Sequence, residues 1–296
     1  MKRISSIFLG SVFLTIGTLS AQVTVAGIDS SATVLDHKME VYEKENIPFK
    51  KPIPYAPVRE ADIMFEKTIW RMVDLREKQN LPLYYPTANI GSRVNLVNLL
   101  LKGVESGEIT AYDANDVNNE FVRKMSKEEA KAQFWTRQDT IDVANEDGDM
   151  IRQVRQSTNL IDEVKLLMVK EKIYFDKKHS VMMRVVVGLC PIRTYSRTGD
   201  DSDFTQMEKM KTMWVYMPEA RAVLARHAVF NRFNDAQNMS FDDFFMLNRY
   251  SGHVYAVSNV YNNRFIDEYA AGLDALYESQ RIENEIFDFE QDLWEY

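Results

Sequence analysis

Cysteine is almost absent: Cys190 is the one thiol in 296 residues, so no disulfide can form within the chain. Histidine is nearly as scarce. His37, His179, His227 and His253 are the four present, and no two have the spacing of a metal-binding pair. The 11 glycines form no phosphate-cradling loop, and the nucleophile elbow, the P-loop and the dinucleotide fingerprint are all missing. The segment around Asn145, Glu146, Asp147 and Asp149 looks like a calcium loop. Its register fails, because the first ligand position falls on Val143 and no Glu stands at the twelfth. Lysine and arginine (36) are outnumbered by Asp and Glu (44), a net of −8, which argues against a nucleic-acid partner. These absences predict no catalytic residue, no metal and no cofactor.

What is present begins with a leader. Lys2 and Arg3 precede a mostly apolar stretch from Ile4 to Leu19, and Ser20 and Ala21 supply small residues for cleavage. The stretch is short for a membrane span, so 1–21 reads as a secretory signal. Cys190 lies far from it and cannot carry a lipid there. The expectation is an exported protein with no direct membrane insertion. Removing Lys2 and Arg3 leaves 34 basic against 44 acidic residues, a net of −10.

Residues 22–58 read as a polar, then proline-rich arm. Pro48, Pro52, Pro54 and Pro57 alternate with Phe49, Ile53 and Tyr55, a pattern of a plain linker or of an extended arm whose apolar teeth lie on another surface, in a homo-oligomer the neighbouring subunit's. The globular part, 59–296, reads as one α+β domain with a small β-sheet, several helices and a long C-terminal helix. The apolar spacing of Ile63, Met64, Ile69, Trp70 and Val73 predicts a helix over 60–79. Pro82 and Pro86 predict extended chain for Leu83, Tyr84 and Tyr85. Ser92 is an expected N-cap for a helix to about Glu105, ended by Gly103 and Gly107, and Ser126 with Glu129 has capping-box spacing. Two strands, 163–175 and 181–192, are expected around a turn at 176–179, with Val185, Val186 and Val187 buried on both faces. A polar surface excursion is expected at 139–155. Further strands are expected at 212–217 and 253–257, a helix from Pro218 to Arg226, and a helix capped by Ser240. From 264 onward the sequence reads as helix, with Ile266, Tyr269, Leu273, Leu276, Ile286, Phe289 and Leu293 on one face.

Three separated segments carry a resemblance. MFEKTIWRMVDLREKQNLPLYYP (64–86), SFDDFFMLNRYSGHVYAVSNVYNNRFIDEY (240–269) and FDFEQDLWEY (287–296) resemble the gliding-motility GldN family, called PorN in non-gliding members, of the Bacteroidetes type IX secretion machinery. The positions that bear it are Trp70, Arg71, Pro82, Tyr84, Tyr85, Pro86, Pro218, Asn231, Asn234, Asp243, Arg249, Tyr269, Trp294 and Tyr296. The resemblance implies a non-catalytic structural subunit in the periplasm. It implies attachment to the inner face of the outer membrane through a GldK/PorK-type lipoprotein, self-association in a ring, and contact with GldL/PorL-type and GldM/PorM-type motor proteins.

The candidate interface residues are Phe49, Ile53, Tyr55, Trp70, Tyr84, Tyr85, Phe289, Asp292, Trp294 and Tyr296. After Arg281 the chain carries Glu283, Glu285, Asp288, Glu290, Asp292 and Glu295 and no cation, against the usual bias of a helix C-terminus. The segment 163–197 is basic, so an acidic tail docked on a basic surface, a neighbouring copy's hairpin among them, stands beside two solvated faces that never meet. The competing reading is an exported envelope hydrolase with Asp200, Asp201 or Asp242 as acid and base. Cys190 reads as a buried inert thiol, with an intermolecular disulfide as the alternative.

Overall fold

The stretch from 60 to 79 does not fold as a helix. The computed structural model describes residues 47–87, 93–115, 120–134, 140–144, 150–154, 160–198, 205–231, 234 and 238–293. In it Glu60–Asp62 is one 3-10 turn and Ile63–Asp74 is a strand, β1. Residues 69 to 73 are all buried in succession. A helix would bury only a stripe of them, whereas a central strand covered on both faces buries every one. The β-branched and aromatic side chains of Ile63, Phe65, Thr68, Ile69, Trp70 and Val73 suit that role. Short apolar runs fit either period, so neighbours decide.

After β1 come α1 (Leu81–Tyr84), α2 (Leu96–Ser106), β2 (Ala111–Asp113), α3 (Lys127–Ala132), β3 (Thr140–Ala144) and β4 (Met150–Val154). Then follow β5 (Val164–Asp176), β6 (Val181–Thr198), β7 (Thr205–Lys211), β8 (Met213–Tyr216), α4 (Met217–Ala225), β9 (Ala228–Val229), β10 (Met239–Ser240), α5 (Phe241–Met246), β11 (His253–Val257) and α6 (Leu273–Asp292). The α+β expectation holds. The main sheet runs β11-β1-β5-β6-β8-β2, with β7 also on β6, and every pairing is antiparallel. Small pairs β3–β4 and β9–β10 stand apart from it.

Alternation along the strands separates two faces. Val73, Leu167, Val169, Val186, Leu189 and Val215 point to one side and pack with Leu96, Leu100, Leu224, Phe241 and Phe245 of α2, α4 and α5. Farther along that side, Ile69, Ile173 and Val254 meet Ile282 and Ile286 of α6. The opposite face buries Trp70, Met72, Met168, Cys190, Ile192, Trp214 and Tyr112.

Several local expectations need correction. Leu83 and Tyr84 belong to α1, because Pro82 sits in its first turn, where a missing N–H costs nothing; extended backbone begins only at Tyr85. Ser92 lies outside the described residues, and the cap of α2 is Asn95, whose side chain accepts from the Asn98 N–H. Gly107 ends that helix at φ 84°, while Gly103 lies within it. Of the three valines only Val186 is buried; full two-sided burial comes later on β6, at Leu189, Cys190 and Ile192, where β8 and β7 join. The final helix begins at Leu273, not near 264, and Ile266 lies in a separate 3-10 turn. Its buried residues are Ser279, Ile282 and Ile286, whereas Leu273 and Leu276 face outward at 69% and 52% exposure. The polar excursion contains a strand pair, β3–β4.

Other expectations hold. The capping box at Ser126–Glu129 forms, Pro218 opens α4, and Ser240 caps α5 through a second capping box with Asp243. The β5–β6 hairpin forms, with Asp176 accepting from the Lys178 N–H at 2.9 Å and contacting His179.

One close approach yields a prediction. A Cβ on Gly252 would lie 2.4 Å from the Met72 carbonyl oxygen, which is backbone of β1 and cannot step aside. Gly252→Ala is expected to destabilise the fold by about 1–3 kcal/mol, read as a lower urea midpoint with an unchanged slope.

Candidate functional site

The strand β1 places Arg71 on the same side as Ile69 and Val73, where an apolar residue would be expected. Arg71 is 6% exposed and Glu171, on the neighbouring strand β5, is fully buried. Arg71 Nε donates to Glu171 Oε1 at 3.0 Å, and its Nη1 donates to the Gly252 carbonyl at 2.7 Å and to Glu283 of α6. The Tyr250 hydroxyl donates to the same Glu171 oxygen at 2.9 Å. Glu171 Oε2 has no hydrogen-bond donor; its nearest cation is Arg184 Nε of β6, at 3.6 Å. Burial opposes the Arg71 charge, but Glu171 and Glu283 outweigh it and hold the guanidinium above its ordinary value. Burial and the Glu171 charge push the Tyr250 hydroxyl well above its usual range, so it stays a donor. The cluster lies between the main core and the smaller core beneath α6.

A second buried pair joins α4 to α5. Arg221 and Asp242 are 5% and 2% exposed and meet in a bidentate pair at 2.8 and 3.1 Å. Arg221 also donates to the Ile53 carbonyl, and its guanidinium lies 4.3 Å from the centre of the Tyr55 ring. Lys50 pairs with Asp243, and Ile47 is buried. The described part of the arm thus lies along α4 and α5 of its own domain. Burial would raise the Asp243 carboxyl, yet hydrogen bonds from Lys50 and Ser240 hold it below its usual value.

The opposite sheet face carries a third cluster. Glu120 accepts from the Trp70 indole N–H at 2.7 Å and from Lys170 at 2.8 Å, and Lys170 sits 4.9 Å from the Trp70 ring centre.

The candidate interface residues divide accordingly. Trp70 is 4% exposed, so its indole is an interior anchor with no surface for a partner. Tyr55 is half-buried under Arg221, Tyr84 packs partly against the main core, and Phe289 stacks on Phe65 at 4.3 Å. Phe49, Ile53 and Tyr85 are open at 75%, 64% and 46%, and Asp292 is exposed. Trp294 and Tyr296 lie outside the described residues, as do 1–46, Asn145, Asp149, Asp200 and Asp201. Sequence reasoning missed Glu171, Tyr250 and Arg221. A charge inside an apolar strand pattern, as at Arg71 and Glu171, was the available signal.

The acids of α6 meet β1 of the same chain: Glu283 holds Arg71, and Glu285 accepts from Lys67 at 3.0 Å. Cys190 is buried and free, and burial pushes its thiol up to about 12, which leaves it protonated and enclosed. Burial lowers both His227 and His253, so each is neutral at pH 7. Asp242, the one described member of the acid–base set, is fully engaged by Arg221. Outward, the surface carries large apolar groups, with Val260, Leu273, Tyr261, Tyr277 and Phe287 all exposed. Among the described residues no helix is long and apolar enough to cross a membrane, and no group of acidic, His and Cys side chains could hold a metal.

The buried pair of β1 and β5 yields a second prediction. Arg71→Met takes from Glu171 its hydrogen-bonded cation and is expected to cost about 3–5 kcal/mol, whereas Arg71→Met with Glu171→Met recovers most of that loss. Urea unfolding of the three proteins checks it.

Compared with curated proteins, the chain finds no match. Compared with protein families, it matches gliding motility associated protein GldN over residues 58–295. That span takes in β1, the two buried ion pairs, the Glu120–Lys170 pair and α6, and leaves out the arm before Val58. The chain belongs to the GldN family, which ties it to gliding motility and type IX secretion.

Proposed function

We propose that the chain is a non-catalytic structural subunit of the type IX secretion and gliding machinery. In this reading it assembles with a GldK/PorK-type lipoprotein into a periplasmic ring beneath the outer membrane. It meets GldL/PorL-type and GldM/PorM-type motor proteins there, with 1–21 as its export signal and 22–58 as an arm. The family match over 58–295 carries the proposal. Two features of the fold support it. The buried charges of Arg71, Glu171, Arg221 and Asp242 are spent on one another and on joining elements. The outer surface instead carries exposed Tyr, Phe, Leu and Val side chains of the kind interfaces use. A closed ring needs two different complementary faces on each subunit, and Phe49 and Ile53 on the arm lie far in sequence from the aromatic outer face of α6.

The test is size exclusion with light scattering on residues 22–296, alone and mixed with the lipoprotein from the same system. The expected result is co-elution as a stable complex or a ring-sized particle. A monomer that passes the lipoprotein by would overturn the reading.

A further inference from the structure

The helix α6 has two faces, and the fold uses only one. Its inner face is spent on the sheet: Ser279 accepts the Val254 N–H at 2.8 Å, Ile282 and Ile286 are buried, and Phe289 stacks on Phe65. The outer face of a surface helix ordinarily collects its charges. Here it has none. Of twenty positions, eight are charged, yet Leu273, Tyr277, Gln280, Asn284, Phe287 and Gln291 are all neutral and all exposed.

Their spacing alternates four and three residues. That alternation is the spacing of the seam positions where one helix packs along another. Leu273, Tyr277 and Phe287 supply the anchors, and Leu276 widens the strip beside them. Asn284 is a polar seam residue of the kind that fixes register between paired helices. The charges stand at the margins, with Asp274, Arg281 and Asp288 along one side and Glu283 and Glu290 along the other. Arg281 is already taken, donating to Glu278 at 2.6 Å and to Glu285 at 3.4 Å. What a partner meets is therefore an uncharged seam between acidic margins.

We propose that this outer face docks an α-helix of a different protein, one with apolar residues along its seam and Lys or Arg beside it. Charge complementarity selects that occupant. A second copy's α6 would set acidic margins against acidic margins, which like-charge repulsion disfavours. Nor does the described part of this chain offer a suitable helix, because α2 and α4 bury their apolar residues in the core. Leu273, Tyr277 and Phe287 are the anchors, and Asp274, Asp288 and Glu290 select for cations.

The test uses two synthetic four-heptad peptides with Leu at both seam positions, one flanked by Lys and the other by Glu. Uniform flanking charge keeps each peptide from pairing with itself. Labelled peptide is titrated with residues 22–296 and followed by fluorescence anisotropy. The same titration is run on Tyr277→Glu with Phe287→Glu, and on Val122→Glu, which places an acid at a distant site 73% exposed. Circular dichroism confirms that each variant is folded.

The expected result is binding of the Lys-flanked peptide to wild type and to Val122→Glu. Binding to the double variant should be at least tenfold weaker, although that variant is more acidic, and the Glu-flanked peptide should fail to bind. The double variant separates seam contact from general attraction, since added acids alone would strengthen the binding of a cationic peptide. Equal affinity for wild type and double variant would overturn the proposal, as would equal binding of both peptides or no binding of either. A wild-type dimer that the double variant converts to monomer would show that a second copy occupies the face, and would also overturn it.

Discussion

The pairing of Arg71 with Glu171 is the constraint on which the rest of the arrangement depends. Neither side chain can be buried alone, because an isolated charge in a protein interior costs several kcal/mol. Once β1 and β5 place them side by side, the remaining bonds of Arg71 fix two further elements: the turn before β11 through Gly252, and α6 through Glu283. Tyr250 then closes the cluster from the turn. Four segments far apart in sequence are thereby held at one point. Apolar packing alone would leave the position of α6 loosely specified, since only Ile282 and Ile286 of its apolar residues are buried. The polar cluster adds direction to a contact that hydrophobicity makes merely favourable.

The second buried pair works the same way at the other end of that face. Arg221 and Asp242 join α4 to α5, and Arg221 also receives the arm through the Ile53 carbonyl and the Tyr55 ring. The arm is thus tied at its polar and aromatic points, while Phe49 and Ile53 remain open. On α6 the division is similar, with the inner side chains spent on the sheet and the outer ones uncovered. The buried charges thus bind the protein's own elements together, while part of its apolar side chains stays outside.

Much of the fold is legible in the sequence where local chemistry decides. The capping boxes at Ser126 and Ser240, the proline opening α4, the glycine closing α2 and the hairpin between β5 and β6 all follow from residues within a few positions of one another. The failure at 60–79 has the opposite origin. Ile63, Met64, Ile69, Trp70 and Val73 fit one helical stripe as well as two strand faces, and the sheet neighbours β5 and β11, about 100 and 180 positions away, settle the matter. The error in the last helix is related. Leu273 and Leu276 are apolar and well spaced, but burial is shared only by what the sheet reaches, and their side of α6 points away from it. For the candidate site, Phe49, Ile53 and Tyr85 are exposed as an interface requires, and Trp70 is not. A tryptophan beside an arginine reads equally as an interface anchor or an interior one. The sheet neighbours that pack on the ring, and the Glu120 carboxylate brought to its indole N–H from 50 positions away, make it interior.

The most direct test of this account is amide hydrogen exchange on the wild-type chain and on Glu283→Gln, which removes one charge from α6 and leaves every apolar contact in place. If the Arg71 cluster positions α6 and the turn before β11 together, protection falls in Leu273–Asp292 and in His253–Val257 by a similar factor, while Leu96–Ser106 and Met217–Ala225 stay unchanged. Undiminished protection throughout would contradict the account. So would a uniform loss across the domain, because α6 would then be held by packing alone or by the global fold.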